Sequence, residues 1–354
     1  MKKALSFAVA LGLVAGMASS AVASDMLEFH GTSRVRGKMI DMSQGTTDDK
    51  TQKYDMRTRW VINAKVADNV SVNSRLTMLS TDLGDGGAGG GFASLQTLSL
   101  DYSYIGVNGL LGGNWSFGRM PASWTKFLSW GGHADRIKGM YKVGNGTLGF
   151  FIQKTDEQDN ADANGDTDAY SLLYVGSAGD TKFKVIGVQS EVDGGASGTT
   201  IDGNVTFKAG PVAMEVELAH KDNDAWTDPQ MGVLAQGSME LGDGMMGMLS
   251  AAYSKDGFTA DDDYNPINMV GNSVTAVTQF GADAGAGDKA YIVAAGAKMK
   301  LDDASSLAFG LAFYNASDNN SEEMTGLDAT YVRNIGKNTD FTVKAAYADV
   351  KDGD

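Results

Sequence analysis

Arginine recurs at alternate positions early in the chain: Arg34 and Arg36, then Arg57 and Arg59, then Arg75 in a third similar stretch. Alternate residues share one face only where the backbone is extended. A guanidinium stays charged and offers five N–H donors but no acceptor. Rows of them can hold or steer anions, and they do no acid–base work. Little else in the chain suits covalent chemistry. There is no cysteine, which removes thiolate nucleophiles and Cys-based metal sites. The three histidines, His30, His133 and His220, are far apart, and no cluster has zinc-ligand spacing. An enzyme in a membrane wall would need Ser and His together on the outer surface, whereas His30 shares the arginine phase. No enzyme is expected.

The elements that carry the arginines read as long strands. Over residues 27–39 the odd positions are Leu27, Phe29, Gly31, Ser33, Val35, Gly37 and Met39, and the even ones Glu28, His30, Thr32, Arg34, Arg36 and Lys38. Residues 53–66 repeat the alternation in opposite phase, with Tyr54, Met56, Trp60 and Ile62 against Arg57 and Arg59. Residues 70–78 continue it, with Leu76 against Arg75. Strict period two is a strand signal. These runs of about thirteen residues exceed the usual globular strand of about 5–6. One face is apolar and the other cationic, which suits a wall between lipid and water. Energetics decide the direction. A Lys or Arg facing lipid costs about 2–4 kcal/mol near the midplane. Five arginines would cost on the order of 10 kcal/mol or more, comparable with the stability of a whole domain. Phe29, Val35, Trp60, Ile62 and Leu76 are therefore expected to face lipid, and the arginines a wet interior.

The rest of the chain fits such a wall. Lys2 and Lys3, the apolar run 4–17 and Ala21-Val22-Ala23 form a secretory signal, so residues 1–23 are expected to be removed and 24–354 to form one domain. No later run of about 18 apolar residues exists, so no transmembrane helix is expected. The composition, 46 Gly and 4 Pro with 12 Tyr and 14 Phe, leans to β. The formal charge of −15 argues against nucleic acid as a partner. Seventeen candidate strands follow one another. Short turns such as 144–146, 210–211 and 242–244 alternate with longer, often acidic loops such as 42–52, 82–92, 156–168, 222–230 and 256–289. Two soluble β domains would mix their connections. Strict alternation is the form of an all-β, transmembrane antiparallel β-barrel of about 16–18 strands, with turns at one rim and loops at the other. Such barrels usually have an even strand number, so the expectation is either that a returning strand after the seventeenth is missing or that one of the seventeen is wrongly split.

Residues 114–141 resemble the general bacterial porins. Their pattern of an aromatic, a glycine and an arginine at the end of the fifth strand is here Phe117-Gly118-Arg119. A third loop follows, 120–135, and then a hairpin, 136–143 and 147–154, closed by Gly144-Asn145-Gly146. The resemblance implies a water-filled channel in the outer membrane of a Gram-negative bacterium. It also implies a homotrimer among lipid and lipopolysaccharide, with the third loop folded into the lumen opposite a row of arginines. On this reading the constriction is lined by Arg34, Arg36, Arg57, Arg59, Arg75, Arg119, Lys126, Arg136 and Lys138. The third loop departs from the acidic pattern of many general porins. Pro121, Trp124, Lys126, Phe127, Trp130 and His133 dominate it, and its one carboxylate is Asp135. Trp124, Phe127 and Trp130 either pin the loop or stack on sugar rings, and pinning is favoured. Arg119 shares the phase of Trp115 and Phe117, so it needs a bulge or bend at Gly118 to turn inward.

Asn160, Asp162, Asn164 and Asp166 alternate around Gly165, as in the first half of an EF-hand-type loop. The closing glutamate is replaced by Ser171. A solvated acidic loop is expected there, with weak Ca2+ binding as the one cofactor reading. Asp261-Asp262-Asp263 and Glu322-Glu323 also read as outer-loop acids, which places the acidic balance outside the membrane, where divalent ions could bridge to lipopolysaccharide. The expected function is passive diffusion of small hydrophilic solutes through a basic constriction favouring anions or neutral solutes. The alternative is a non-conducting barrel serving as an adhesin or partner scaffold.

Overall fold

The computed structural model describes residues 26–44, 47–81, 97–129, 132–156, 167–193, 195–267, 279–281, 287–317 and 322–352. Period-two alternation becomes seventeen strands. They are β1 (Leu27–Gln44), β2 (Thr47–Ala67), β3 (Val70–Thr81), β4 (Thr97–Leu110), β5 (Gly113–Pro121), β6 (His133–Val143), β7 (Gly146–Asp156), β8 (Thr167–Ala178) and β9 (Thr181–Val192). They continue as β10 (Gly198–Ala209), β11 (Val212–Asn223), β12 (Gln230–Gly242), β13 (Met245–Lys255), β14 (Lys289–Lys300), β15 (Ser305–Ser317), β16 (Glu322–Gly336) and β17 (Thr339–Asp352). Each strand pairs antiparallel with the next, so the 17-stranded sheet is a single meander with β1 and β17 at its edges. Among the described residues no ladder joins those two edges, which run in the same direction.

The sheet curls on itself. The loop between β5 and β6 touches β10, β11 and the loop after β13, all on one face. The outer face is the apolar phase. Ile105, Phe117, Ile137, Ile152 and Tyr170 are cross-strand neighbours over five strands. Four of them, Ile105, Ile137, Ile152 and Tyr170, are more than 40% exposed. A continuous exposed apolar row of this kind is stable against lipid and not against water. Phe29, at 63% exposed, and Val35, at 68%, lie on the same outer face, as their phase requires.

Two expectations about boundaries need correction. Residues 42–44 and 47–52 are strand and not loop: the β1–β2 ladder runs on through Met42↔Asp49 to Gln44↔Thr47. Once the register is set lower down, facing backbone groups stay within hydrogen-bonding reach whatever the side chains are. The third loop is also shorter than 120–135, because β5 extends to Pro121 and β6 starts at His133.

The inner face is not uniformly polar. Ala290, Ile292 and Ala294 of β14 and Ala312, Tyr314 and Ala316 of β15 are buried there, while Tyr291, Val293, Leu311 and Phe313 point outward and are exposed. A core covers this sector from within, built from the third loop and the loop between β13 and β14, here the seventh loop. Phe127 of the third loop meets Phe258, Tyr264 and Phe280 of the seventh, with ring centroids 5.3, 5.1 and 6.3 Å away. Gly232 of β12 makes room for this core, since a Cβ there would strike the Phe258 ring.

Candidate functional site: the lumen wall and its loops

Register assembles the arginine rows. Arg34 lies directly opposite Arg57, Thr32 opposite Arg59, and Val61 opposite Arg75. Like charges facing each other on neighbouring strands are unfavourable, so the cluster needs a counter-charge. Asp101 supplies it by a local irregularity. Tyr102 pairs with Arg75 while Leu100 pairs with Leu76, which leaves Asp101 as the extra residue of a β-bulge. A bulge bends the strand and re-aims a side chain.

Asp101 Oδ2 then accepts from Arg75 Nε at 2.7 Å and from Thr77 Oγ1 at 2.5 Å, with Arg59 Nε at 3.7 Å. The Arg75 guanidinium also lies over the Tyr102 ring, 4.9 Å from its centroid, and approaches His133 Nε2 at 2.8 Å. Because a guanidinium cannot accept, His133 Nε2 is the acceptor in that contact.

Arg119 joins from the edge. Its Nε donates to the Asp101 carbonyl at 3.1 Å and its Nη1 to Asp135 Oδ2 at 3.2 Å. Gly118 takes a positive φ of 116°, and a Cβ there would lie 2.7 Å from the Ser103 carbonyl oxygen. The pairing nevertheless runs unbroken through Gly118 and Arg119, opposite Tyr104 and Ser103. Arg119 therefore keeps the outward phase of Phe117, a correction to its expected place on the constriction, and its contacts are the Asp101 backbone carbonyl and its cross-strand partner Asp135.

Arg136 stacks on Phe151, 4.1 Å from the ring centroid, and donates to Gln153. Lys138 follows two residues on, on the same face. Lys126 is exposed between buried Thr125 and Phe127.

The third loop is held to the wall about halfway along the meander. Trp124 Nε1 donates to Asp202 Oδ1 at 2.6 Å, and Thr125 Oγ1 to Glu217 Oε1 at 2.5 Å. Asn204 bridges Glu217 and Glu215 at 2.7 and 2.8 Å, and Gln236 donates to Glu215 at 2.5 Å. Lys184 donates to the Trp124 carbonyl at 3.3 Å. Asp202 and Glu217 are 0% and 1% exposed, so these acids lie beneath the loop. Trp124 and Phe127 are thus pinning residues. The seventh loop adds a further tie, from the Asp261 amide to the Phe127 carbonyl at 2.8 Å.

Residues 7–353 match the Gram-negative porin family. The chain is a Gram-negative porin. The porin resembles a BenF-like porin from Pseudomonas fluorescens Pf-5 at 9% identity and a TM-score of 0.61, covering 92% of this chain and 94% of the other. It also resembles a loop-deletion mutant of OmpT, an outer membrane protein of Vibrio cholerae. That match has 13% identity and a TM-score of 0.51, over 91% and 98% of the two chains. The trimer form of in-vitro folded OmpT matches at 12% identity and 0.50, over 92% and 99%. No curated protein matches the chain. At such identities the structures show the fold alone. That fold is an outer-membrane β-barrel, and the family places the porin in the outer membrane as a channel.

Several readings of the sequence change against this geometry. The acids that face the lumen are not confined to outer loops, because Asp101, Asp202, Glu215 and Glu217 all sit in the wall. The Asp261–Asp263 stretch packs inward against the third loop, its carboxylates within 4.8 Å of one another. Glu322 and Glu323 belong to β16. Trp130 and the Asn160, Asp162, Asn164, Asp166 segment lie outside the described residues. Alternation at Asp202 and Asn204, and at Glu215 and Glu217, was the available signal for the missed acids. Asp101 had no such signal, because a bulge shows only against its partner strand.

Proposed function

We propose that the porin passes small hydrophilic solutes by diffusion, with a net basic lumen that favours anions and neutral solutes and no chemical step. One observation carries the reading. Asp202 of β10 and Glu217 of β11 are buried under the third loop, whereas Arg34, Arg57, Arg59 and Arg75 stay at least partly accessible, with Asp101 pairing Arg59 and Arg75. A permeating ion therefore meets a predominantly positive wall at β1, β2 and β3, and rings of basic side chains suit anion pores. Reversal potential across a planar bilayer in a KCl gradient tests this. A potential set by chloride is expected, and one set by potassium overturns the anion bias. Liposome swelling with graded sugars separates the channel from a non-conducting scaffold: no swelling with even the smallest sugar overturns diffusion.

A homotrimer is the assembly we infer, supported by the trimer form of a protein of the same fold. Cross-linking of detergent-extracted protein should give a three-copy ceiling, and a monomer at all cross-linker concentrations overturns it.

A further inference from the structure

The inner faces of β7, β8 and β9 break the rule that lumen-facing residues are polar. Phe151, Leu173 and Ile186 form an apolar floor there, each less than 8% exposed. Trp124 of the third loop packs on part of it. A cavity of about 480 Å3 remains between loop and wall, lined by this floor together with Arg136, Lys138 and Lys221. Its size falls in the range of small-molecule sites, about 300–1,000 Å3.

The cations at its edge are under-used. Arg136 Nε is buried and has no hydrogen-bond partner, and its other contacts are a phenyl ring and an amide. Neither Arg136 nor Lys138 has a carboxylate partner among the described residues. The two lie on one strand face, roughly 7 Å apart. Lys221 lies over Phe258, 4.8 Å from its ring centroid. A buried donor left unpaired costs about 1–3 kcal/mol, which an arriving oxyanion would recover.

We propose that this cavity is a saturable site for a small monocarboxylate with an aromatic or branched apolar body, its carboxylate on Arg136 and Lys138 and its hydrocarbon on Phe151, Leu173 and Ile186. The proposal rests on the diffusion reading, since the ligand enters from a water-filled lumen. It adds selectivity that a basic constriction alone lacks: bare charge would treat acetate and a larger acid alike. The site is separate from the Arg75–Asp101 cluster, whose surroundings are polar.

The test is current block in planar bilayers with the full chain. Phenylacetate is the probe, acetate supplies the charge without the body, and 2-phenylacetamide supplies the body without the charge. Concentration-dependent block by phenylacetate is expected, with the two controls at least tenfold weaker. Arg136→Gln and Phe151→Ala should each weaken the phenylacetate block tenfold or more. Lys138→Gln serves if either variant fails to show the shifted gel mobility of a folded barrel. Equal block by acetate, equal block by 2-phenylacetamide, or block surviving the substitutions overturns the site. Conducting channels that phenylacetate never blocks overturn the site and leave diffusion standing. Folded protein that carries no current overturns diffusion, and equilibrium dialysis of phenylacetate then decides the site by the same ratios.

Discussion

Replacing Phe127 by Ala should loosen the lumen without touching its wall. Phe127 is 1% exposed and sits among three aromatic rings of the seventh loop. Truncating a buried Phe to Ala costs about 3–5 kcal/mol. At about 1.4 kcal/mol per factor of ten, the balance between docked and undocked third loop shifts by roughly 100- to 3,000-fold. The strongest side-chain anchors that remain are the Trp124–Asp202 and Thr125–Glu217 hydrogen bonds. Hydrogen bonds to charged groups contribute about 1.5–3 kcal/mol each, so the loss rivals both together. None of the strand ladders includes Phe127, and the folded barrel should survive, as shifted mobility on unheated gels would show. Single-channel recording should then give higher mean conductance and more open-channel noise. A folded Phe127→Ala protein with unchanged conductance and noise would refute the view that loop-to-loop packing sets the opening.

Other outcomes follow from the same contacts. Asp101→Asn keeps the shape of the bulge but removes the counter-charge of Arg59 and Arg75. Reversal potential should move further towards chloride, and no movement would place the selectivity elsewhere. Burial pushes the Tyr264 phenol up to about 12, against about 10 when unfolded. The raised value favours the neutral phenol in the docked loop. Docking is therefore fully supported below about pH 10 and weakens as pH climbs from about 10 to 12. Open-channel noise should rise in that window in the parent protein and stay flat in Tyr264→Phe; a flat parent trace argues against it. N-terminal sequencing of protein taken from the outer membrane should begin at Ser24, and retention of Lys2 would contradict the signal reading.

The strands and the two faces of the wall were legible from period two alone, because lipid and water enforce opposite side-chain choices at every step. The arginine rows were legible for the same reason. What the sequence hid lies where one face meets protein instead of lipid or bulk water. Residues 256–289 look like an acidic outer loop, yet Phe258, Tyr264 and Phe280 are apolar weight that a solvated loop would not need, and they build the core inside the lumen. Residues 120–135 hold one acid, Asp135; the others lie elsewhere. They stand in β10 and β11, where a tryptophan and a threonine of that loop reach them. The Arg119 reading turned on a bend at Gly118. Gly118 does take a positive φ, but the register stays intact, and the guanidinium meets the Asp101 backbone carbonyl and Asp135 from the outward phase.

The apolar inner face of β14 and β15 has a consequence for biogenesis. Most strands of such a wall offer only one sticky side on the way to the membrane. These two carry Ile292 and Tyr314 on one side and Val293 and Phe313 on the other. Until the seventh loop settles on them they are ribbons attractive on both sides, with little charge between residues 290 and 297 or between 305 and 316 to discourage stacking. Periplasmic escort should matter most for this late third of the chain, and a slow-settling seventh loop should lower yield before it alters conductance.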